Sequence, residues 1–152
     1  MNVKDFMKTG VVSIHEDATL RDAASLVAEN LVGLLPVVDD GGVLVGVLSM
    51  DDILRQFLPR FVEMMEQADF IHDYGVLEAG KEHVVLNTPI RDLMQHPFYV
   101  LETDHLMAPI VIMHKHRSGD VPVVDEHDKL VGLVSHAQVG GMFLKDWLDR
   151  HG

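Results

Sequence analysis

Residues 33–52, GLLPVVDDGGVLVGVLSMDD, recur later in the chain as residues 120–138, DVPVVDEHDKLVGLVSHAQ. In both copies a Pro-Val-Val-Asp segment is followed by Leu-Val-Gly and then by a serine. The matching residues lie 86 positions apart, as Pro36 and Pro122 do (122 − 36) and as Ser49 and Ser135 do (135 − 49). Self-similarity at a constant offset indicates a repeated structural unit. The sequence therefore predicts two copies of one fold.

Each copy has the pattern of a β-hairpin that leads into a helix. In the first copy, residues 34–38 and 43–48 are short apolar runs rich in β-branched residues, which is typical of buried strands. Residues 39–42, DDGG, supply the carboxylates and glycines of a turn. Gly46 lies inside the second strand and predicts a bulge or the close approach of another part of the molecule. A helix is expected from Ser49, with one apolar face formed by Ile53, Leu54, Phe57 and Leu58.

The residues before the first hairpin predict a helical turn, a strand and a helix. Asn2 and Asp5 have the spacing of a helix cap and open the turn, and the strand covers residues 11–14. Thr19 and Asp22 form a second capping box. Apolar residues then recur at helical spacing, which predicts an amphipathic helix. The residues expected to face inward are Val3, Phe6 and Met7 in the turn, and Leu20, Ala23, Ala24, Val27 and Leu31 in the helix.

The second unit repeats this order from Thr88-Pro89. Residues 90–94 match residues 3–7 at an offset of 87 (94 − 7), and a strand is expected at 98–101. The offset falls to 86 in the hairpin, which we interpret as the loss of one residue near Arg117-Ser118. The following helix tolerates Pro109 because this residue lies near its start. The residues expected inward are Leu106, Ile110 and Met113, and then Val139, Met142, Phe143 and Trp147 in the last helix.

Residues 59–88 have no counterpart in the repeat. Pro59 suits the first turn of a helix, Gly75 and Gly80 indicate a loop, and residues 83–86 could be extended. An apolar face is formed by Phe61, Met64, Met65, Ala68 and Ile71. This face could pack on the protein's own core or form a dimer contact. We therefore divide the chain into a first repeat at 1–58, a helical insert at 59–88 and a second repeat at 89–152.

Composition excludes several classes of function. The 152 residues carry 24 acidic and 12 basic side chains, for a net charge of −12, which argues against nucleic-acid binding. Without cysteine there is no disulfide, thiolate nucleophile or cysteine zinc site. No apolar run reaches the ~20 residues of a membrane helix, and the first residues lack the apolar core of a signal peptide. We expect a soluble cytoplasmic protein without a membrane segment.

Catalysis and metal binding also lack sequence support. The ten histidines show no metal-ligand spacing, and the chain has no glycine-rich phosphate loop and no nucleophile elbow. We expect neither an enzyme nor a metal site.

The two copies of a helical turn followed by β-α-β-β-α resemble the cystathionine-β-synthase (CBS) domain, and the tandem resembles a Bateman module. The resemblance implies an α/β (α+β) fold with two repeats packed sheet to sheet about a pseudo-twofold axis, and two equivalent clefts between them. In many members the clefts bind AMP, ADP, ATP or, less in keeping with this sequence, S-adenosylmethionine. Such pairs regulate an enzyme or transporter, and many form homodimers, so both are expected here.

The resemblance also assigns individual residues to one cleft. Ser49 ends the hairpin, and Asp52 three residues later would bind the ribose hydroxyls, although S-x-x-D is equally a helix capping box. Base contacts would come from the first repeat, and His116-Arg117 would hold the phosphates. His116-Arg117 could instead be a solvated helix end whose cations complement the dipole. The remaining residues expected at the nucleotide are Gly10, Val11, Val12, Val32, Val47 and Ser118.

The other cleft is expected to be weak or empty. Gln138 replaces the ribose aspartate, and a lysine of some members falls at Ala137. The first repeat has Glu29-Asn30-Leu31 where the second has the His-Arg pair, so a phosphate clamp is missing as well. The competing hypothesis for the whole chain is a ligand-free CBS pair that only dimerises or docks on a partner.

Overall fold

The computed structural model describes residues 1–57 and 85–152. Within these ranges, two units repeat one order of elements, and each unit has a three-stranded sheet. The first contains β1 (Ile14–His15), α1 (Leu20–Asn30), β2 (Leu34–Val38), β3 (Leu44–Ser49) and α2 (Met50–Phe57). The second contains β4 (Val100–Leu101), α3 (Met107–His116), β5 (Asp120–Val124), β6 (Leu130–Ser135) and α4 (His136–His151). The predicted pair of mixed α/β repeats is confirmed.

A short 3-10 turn precedes each unit, at Val3–Asp5 and at Ile90–Asp92. The predictions for the insert lie outside the described residues. They are the helix start at Pro59, the loop glycines, the first half of the extended piece at 83–86 and the apolar face formed by Phe61, Met64, Met65, Ala68 and Ile71, together with inward Leu58. The second half of that piece, residues 85 and 86, is not a strand.

Both sheets have the same register. A parallel pair places Ile14 opposite Val37 in one sheet and Val100 opposite Val123 in the other, and an antiparallel hairpin completes each. The hairpin turns are built alike, because Asp39 and Asp125 each accept two backbone N–H bonds at 2.8 to 3.0 Å. The strands predicted at 11–14 and 98–101 are shorter in the structure, since only their last residues pair with the neighbouring strand.

The 3-10 turn of each unit packs on the opposite unit. Val3 is fully buried in the core of the second unit, whereas Ile90 is fully buried in the core of the first. Three residues after each turn, one residue pairs with the second strand of the opposite hairpin. Lys8 and Leu133 exchange two backbone hydrogen bonds of 2.9 Å, and Gln95 and Val47 exchange two of 2.9 and 3.2 Å. The two units are therefore joined by a reciprocal exchange of their first segments.

A glycine in each second strand makes this exchange possible. A Cβ on Gly46 would lie 2.6 Å from the Met94 sulfur and 3.1 Å from the Gln95 carbonyl oxygen. A Cβ on Gly132 would clash with the Met7 sulfur and lie 2.9 Å from Met7 Cγ. The close approach predicted at Gly46 is confirmed, and its partner is the opposite unit.

The repeat loses its one residue earlier than the sequence indicated. Lys8 and Gln95 occupy equivalent places at an offset of 87 (95 − 8), while Ile14 and Val100 do so at 86 (100 − 14). The loss therefore lies between Gln95 and Val100, and the placement near Arg117-Ser118 was wrong. The ends of α1 and α3, which precede that site, already match at an offset of 86 residues.

Some apolar residues expected inward are exposed. Leu31 is 88% exposed, because it ends α1 in the left-handed conformation and turns away from the core. In α4 only the first turns reach the core: Val139 is buried, whereas Phe143 and Trp147 are 36% and 50% exposed. The last turns of α4 run past the sheet, which leaves an apolar face on its surface.

Candidate functional site

A cleft of about 330 Å³ lies where the start of α2 meets the end of α3. We name it the Asp52 cleft. The first unit contributes Leu34, Ser49, Asp51, Asp52 and Arg55, and the second contributes Gln95, Phe98, His116, Arg117 and Ser118. The cleft therefore exists only when both units are in place.

Asp52 is held by the helix cap and still presents a carboxylate oxygen to the cleft. Its backbone N–H donates to Ser49 Oγ at 3.1 Å, and its Oδ2 accepts from the Ser49 N–H at 2.9 Å. The same Oδ2 accepts from Gln95 Nε2 at 2.9 Å. Oδ1 accepts no hydrogen bond from residues 1–57 or 85–152. The predicted capping box is thus present, and the same aspartate belongs to the lining of the cleft.

The second unit places its cations at the opposite wall. Arg117 ends α3 in the left-handed conformation (φ 51°), with its N–H donating to the Met113 carbonyl oxygen. The His116 ring stacks on the ring of Phe98, with centroids 4.4 Å apart and planes 14° from parallel. Phe98 is only 7% exposed, so it anchors the imidazole to the core. His116 and Arg117 also lie at the end of α3, where positive charge complements the helix dipole. This role is compatible with their place in the cleft.

The structure places half of the predicted site residues in this cleft. Ser49, Asp52, His116, Arg117 and Ser118 line it together. The other five do not line it: Gly10, Val11, Val12, Val32 and Val47.

The reciprocal exchange explains the difference. It carries the start of the first unit toward the sheet of the second, so Lys8 lines the other cleft. Val32 also lines the other cleft, because it follows the end of α1 as Ser118 follows the end of α3. Val47 is fully buried beneath the Asp52 cleft, beside Leu34 and Phe98. The corresponding lining of the Asp52 cleft comes from the second unit, through Gln95 and Phe98.

Sequence reasoning missed Arg55, Gln95 and Phe98. Arg55 follows Asp52 by three residues, a spacing that puts both on one face of a helix, so this signal was available. Gln95 matches Lys8 at the offset of 87, but its position at Asp52 follows only from the exchange of segments. Arg55 adds a third cationic side chain to a cleft that also holds two carboxylates.

The second cleft, named the Gln138 cleft, has a volume of about 380 Å³. The position equivalent to Asp52 holds Gln138, whose Oε1 accepts from the Ser135 N–H at 3.1 Å. Lys8 is the cation among its lining residues, and Asp120 adds a carboxylate whose pKa is raised by burial. The two clefts therefore differ in the residues that would bind a sugar and a phosphate.

Residues 1–57 and 85–152 contain neither a cluster of metal ligands nor a membrane-spanning helix. No group of three or more His, Asp or Glu side chains is arranged to hold a metal ion there. None of the helices in the same ranges is both long and apolar enough to cross a membrane.

The model of the CBS domain family matches residues 3–59 and 90–139, one match for each unit. The chain belongs to the CBS domain family. Its two matches make it a tandem CBS pair, and such pairs are regulatory modules that are generally not catalytic.

Similar proteins agree with this assignment. The uncharacterized protein MJ1426 of Methanocaldococcus jannaschii is 29% identical over 91% of this chain and 89% of its own length. The CBS domain protein PAE2072 from Pyrobaculum aerophilum, solved in complex with AMP, is 26% identical with a TM-score of 0.68, covering 91% of this chain and 89% of that one. Several other curated relatives are longer proteins, of which the chain spans 21 to 23%.

Hypoxic Response Protein I, solved with two coordinated zinc ions, is 28% identical with a TM-score of 0.67, covering 92% of this chain and 97% of that one. A CBS pair of this similarity can therefore be found with metal, and the prediction that this chain binds none remains a prediction.

Proposed function

We propose that this CBS pair senses an adenine nucleotide in the Asp52 cleft and transmits its occupancy to a partner enzyme or transporter. The observation that carries the proposal is the composition of one cleft: a carboxylate from the first repeat faces an imidazole and a guanidinium from the second. Sugar hydroxyls need an acceptor and phosphates need cationic donors, and this cleft supplies both.

The sugar is assigned to Asp52. Its Oδ2 accepts two hydrogen bonds, which hold the carboxylate in place, and we expect Oδ1 to accept from a ribose hydroxyl. A carboxylate is suited to a diol because it carries only acceptors, so it does not compete with the hydroxyl protons. Gln138 in the other cleft combines an acceptor with two donors, and we expect that cleft to bind a nucleotide weakly or not at all.

The phosphates are assigned to His116 and Arg117, with Ser118 beside them. Arg117 presents a planar fork that matches phosphate oxygens. His116 adds a positive charge when it is protonated, so phosphate binding should strengthen as the pH falls. Leu34 and Phe98 supply the apolar surface on which the base would rest, in place of the first-repeat residues expected from sequence.

The relatives support a nucleotide of the AMP class. A CBS pair that is 26% identical was solved with AMP, and its fold superposes over most of both chains. We place AMP, ADP and ATP ahead of S-adenosylmethionine, because the cleft holds cations where a phosphate group would lie and a sulfonium ligand would gain nothing from them.

We also propose that the pair forms a homodimer through the exposed apolar face of its second repeat. This face contains Val111 of α3 and Leu144, Trp147 and Leu148 of α4, each at least half exposed. Light scattering should give about twice the 17.0 kDa chain mass. A monomer mass at all concentrations would contradict this part of the proposal.

The alternative function is a CBS pair that docks on a partner without a small ligand. A thermal-shift panel with AMP, ADP, ATP, S-adenosylmethionine, GTP and NADH separates the two. A ligand at 100 times its Kd that binds only the folded state stabilises it by about 2.7 kcal/mol. For a chain of this length the melting temperature should rise by roughly 5 to 11 °C.

Two variants make the panel specific. Asp52→Asn keeps a cap acceptor for the Ser49 N–H but removes the charge, and it should abolish most of the shift. Gln138→Ala removes the equivalent cap residue from the other cleft, and its shift should equal that of the wild type. No shift with any ligand would favour the docking alternative, and a full shift in Asp52→Asn would place the ligand elsewhere.

A further inference from the structure

A further cavity lies beside the Asp52 cleft. It has a volume of about 770 Å³ and is formed by the end of α3, the loop after it and the first residue of α4. We name it the basic pocket. Its floor includes Ile110 and the buried Met113, and its rim carries His114, Lys115, Arg117 and His136. Ser118 and Gly119 complete the lining.

The charge of this pocket is opposite to that of the protein. The chain has twice as many acidic as basic residues, yet no aspartate or glutamate among residues 1–57 and 85–152 lines the basic pocket. Two of its four basic side chains are permanently charged, and the two histidines add charge on protonation. They come from two separate helices, so the end of α3 alone does not account for the cluster.

The first repeat shows that the fold does not require these cations. At the offset of 86, His114, Lys115 and Arg117 correspond to Ala28, Glu29 and Leu31 (114 − 86, 115 − 86 and 117 − 86). His136 corresponds to Met50 (136 − 86). Leu31 and Arg117 adopt the same left-handed conformation, with φ of 53° and 51°. The backbone is thus the same in both repeats, while the basic side chains occur in only one.

We infer that the basic pocket is a second binding site, for a compact multivalent anion of the phosphate-chain class. Single exposed charge pairs contribute little to binding, so a monovalent anion would gain little here. A short phosphate chain can contact several of the four side chains at once, and its charge matches theirs. Arg117 and Ser118 line both this pocket and the Asp52 cleft, so the two sites adjoin.

The proposal can be tested separately from the nucleotide proposed for the Asp52 cleft, although the two sites share Arg117 and Ser118. Lys115 and His136 line the basic pocket and not that cleft, whereas Asp52 lines only the cleft. Variants at these positions therefore separate the two sites. They also decide whether the phosphate chain binds as a free anion or as the tail of a nucleotide.

The test is calorimetric titration of the full chain with inorganic triphosphate at low salt and at a pH of about 6, below the ordinary histidine pKa of about 6.5. The double variant Lys115→Ala/His136→Ala should weaken triphosphate binding on the order of tenfold, since it removes two of the four basic groups. Lys145→Ala, which removes an exposed charge of α4 away from the pocket, is the matched control. This control variant should bind triphosphate as the wild type does.

Three results would overturn the inference. The first is that the wild type does not bind triphosphate. The second is that Lys145→Ala weakens triphosphate binding as much as the double variant does. The third is that Asp52→Asn loses triphosphate binding while the double variant retains it. A parallel titration with ATP identifies the source of the anion. If the double variant weakens triphosphate but not ATP, the pocket takes a free anion, and if it weakens both, the pocket also accepts a nucleotide tail.

Discussion

Gly132→Ala tests the reciprocal exchange that joins the two CBS repeats. A methyl group at this position would clash with the Met7 sulfur, lie 2.9 Å from Met7 Cγ and lie 3.1 Å from the Lys8 carbonyl oxygen. Met7 can turn aside, but the Lys8 backbone cannot, since its N–H and carbonyl both pair with Leu133 at 2.9 Å. The substitution should therefore push the first segment away from β6.

The expected cost follows from this crowding. Overpacking of a close contact typically costs 1–3 kcal/mol, and we expect about 2 kcal/mol here. For a chain of this length that corresponds to a fall of roughly 4 to 8 °C in melting temperature. Urea unfolding monitored by Trp147 fluorescence and by circular dichroism measures the free energy directly.

Two further variants control the interpretation. Gly141→Ala lies in α4 with open space around its position, so it should raise stability by about 0.5 to 1 kcal/mol through helix propensity alone. In the double variant Gly132→Ala/Met7→Ala, the two effects should not fully add, because truncation of Met7 relieves its own clash with the methyl, whereas the cost of the contact with the Lys8 carbonyl oxygen should remain. A Gly132→Ala protein within about 0.5 kcal/mol of the wild type, or strict additivity in the double variant, would refute the contact.

Further predictions concern the core and pH. Ile90→Ala should cost about 2 to 5 kcal/mol and speed native-state hydrogen exchange in β2 more than in β5, because Ile90 packs on the first repeat; faster exchange confined to β5 would contradict this. The backbone N–H groups of Lys129 and His127 hold the pKa of Asp125 below its ordinary value, so its ionised form stabilises the fold at neutral pH and this contribution is lost as the pH falls through the folded pKa. Asp125→Asn should therefore be less stable than the wild type at neutral pH and converge with it in acid. Burial raises the pKa of Asp120, so Asp120→Asn should be more stable than the wild type at neutral pH and lose this advantage as the pH falls. Urea midpoints measured across pH should show that the two variants change stability in opposite directions at neutral pH. A change in the same direction for both variants would refute the assignment.

Local patterns predicted most of the individual elements. The hairpins, the capping boxes at Thr19 and Ser49 and the close approach at Gly46 all depend on residues near one another in sequence, and the structure contains them. The strand limits were less accurate, because a strand ends where its neighbour ends, and the partner of β1 is distant in sequence. Leu31 continued the apolar period of α1, but its left-handed backbone removed it from the core.

The site was only half predictable for a different reason. Ser49 and Asp52 follow from the hairpin, and His116 and Arg117 follow from the helix end, so each pair could be found separately. The exchange of the 3-10 turns decides which repeat supplies the rest of the lining of the Asp52 cleft. Nothing in the local sequence of residues 1–12 shows which sheet they join. Gln95 and Phe98 therefore replaced the first-repeat residues that the family resemblance implied.

The most direct test of the nucleotide assignment pairs a change in the protein with a change in the ligand. AMP and 2′,3′-dideoxy-AMP would be titrated into the wild type and into Asp52→Asn. If Asp52 binds the ribose hydroxyls, the substitution should weaken AMP on the order of tenfold or more, as expected for a charged hydrogen bond, and leave dideoxy-AMP nearly unchanged. Equal losses for both nucleotides, or no loss for either, would contradict the account.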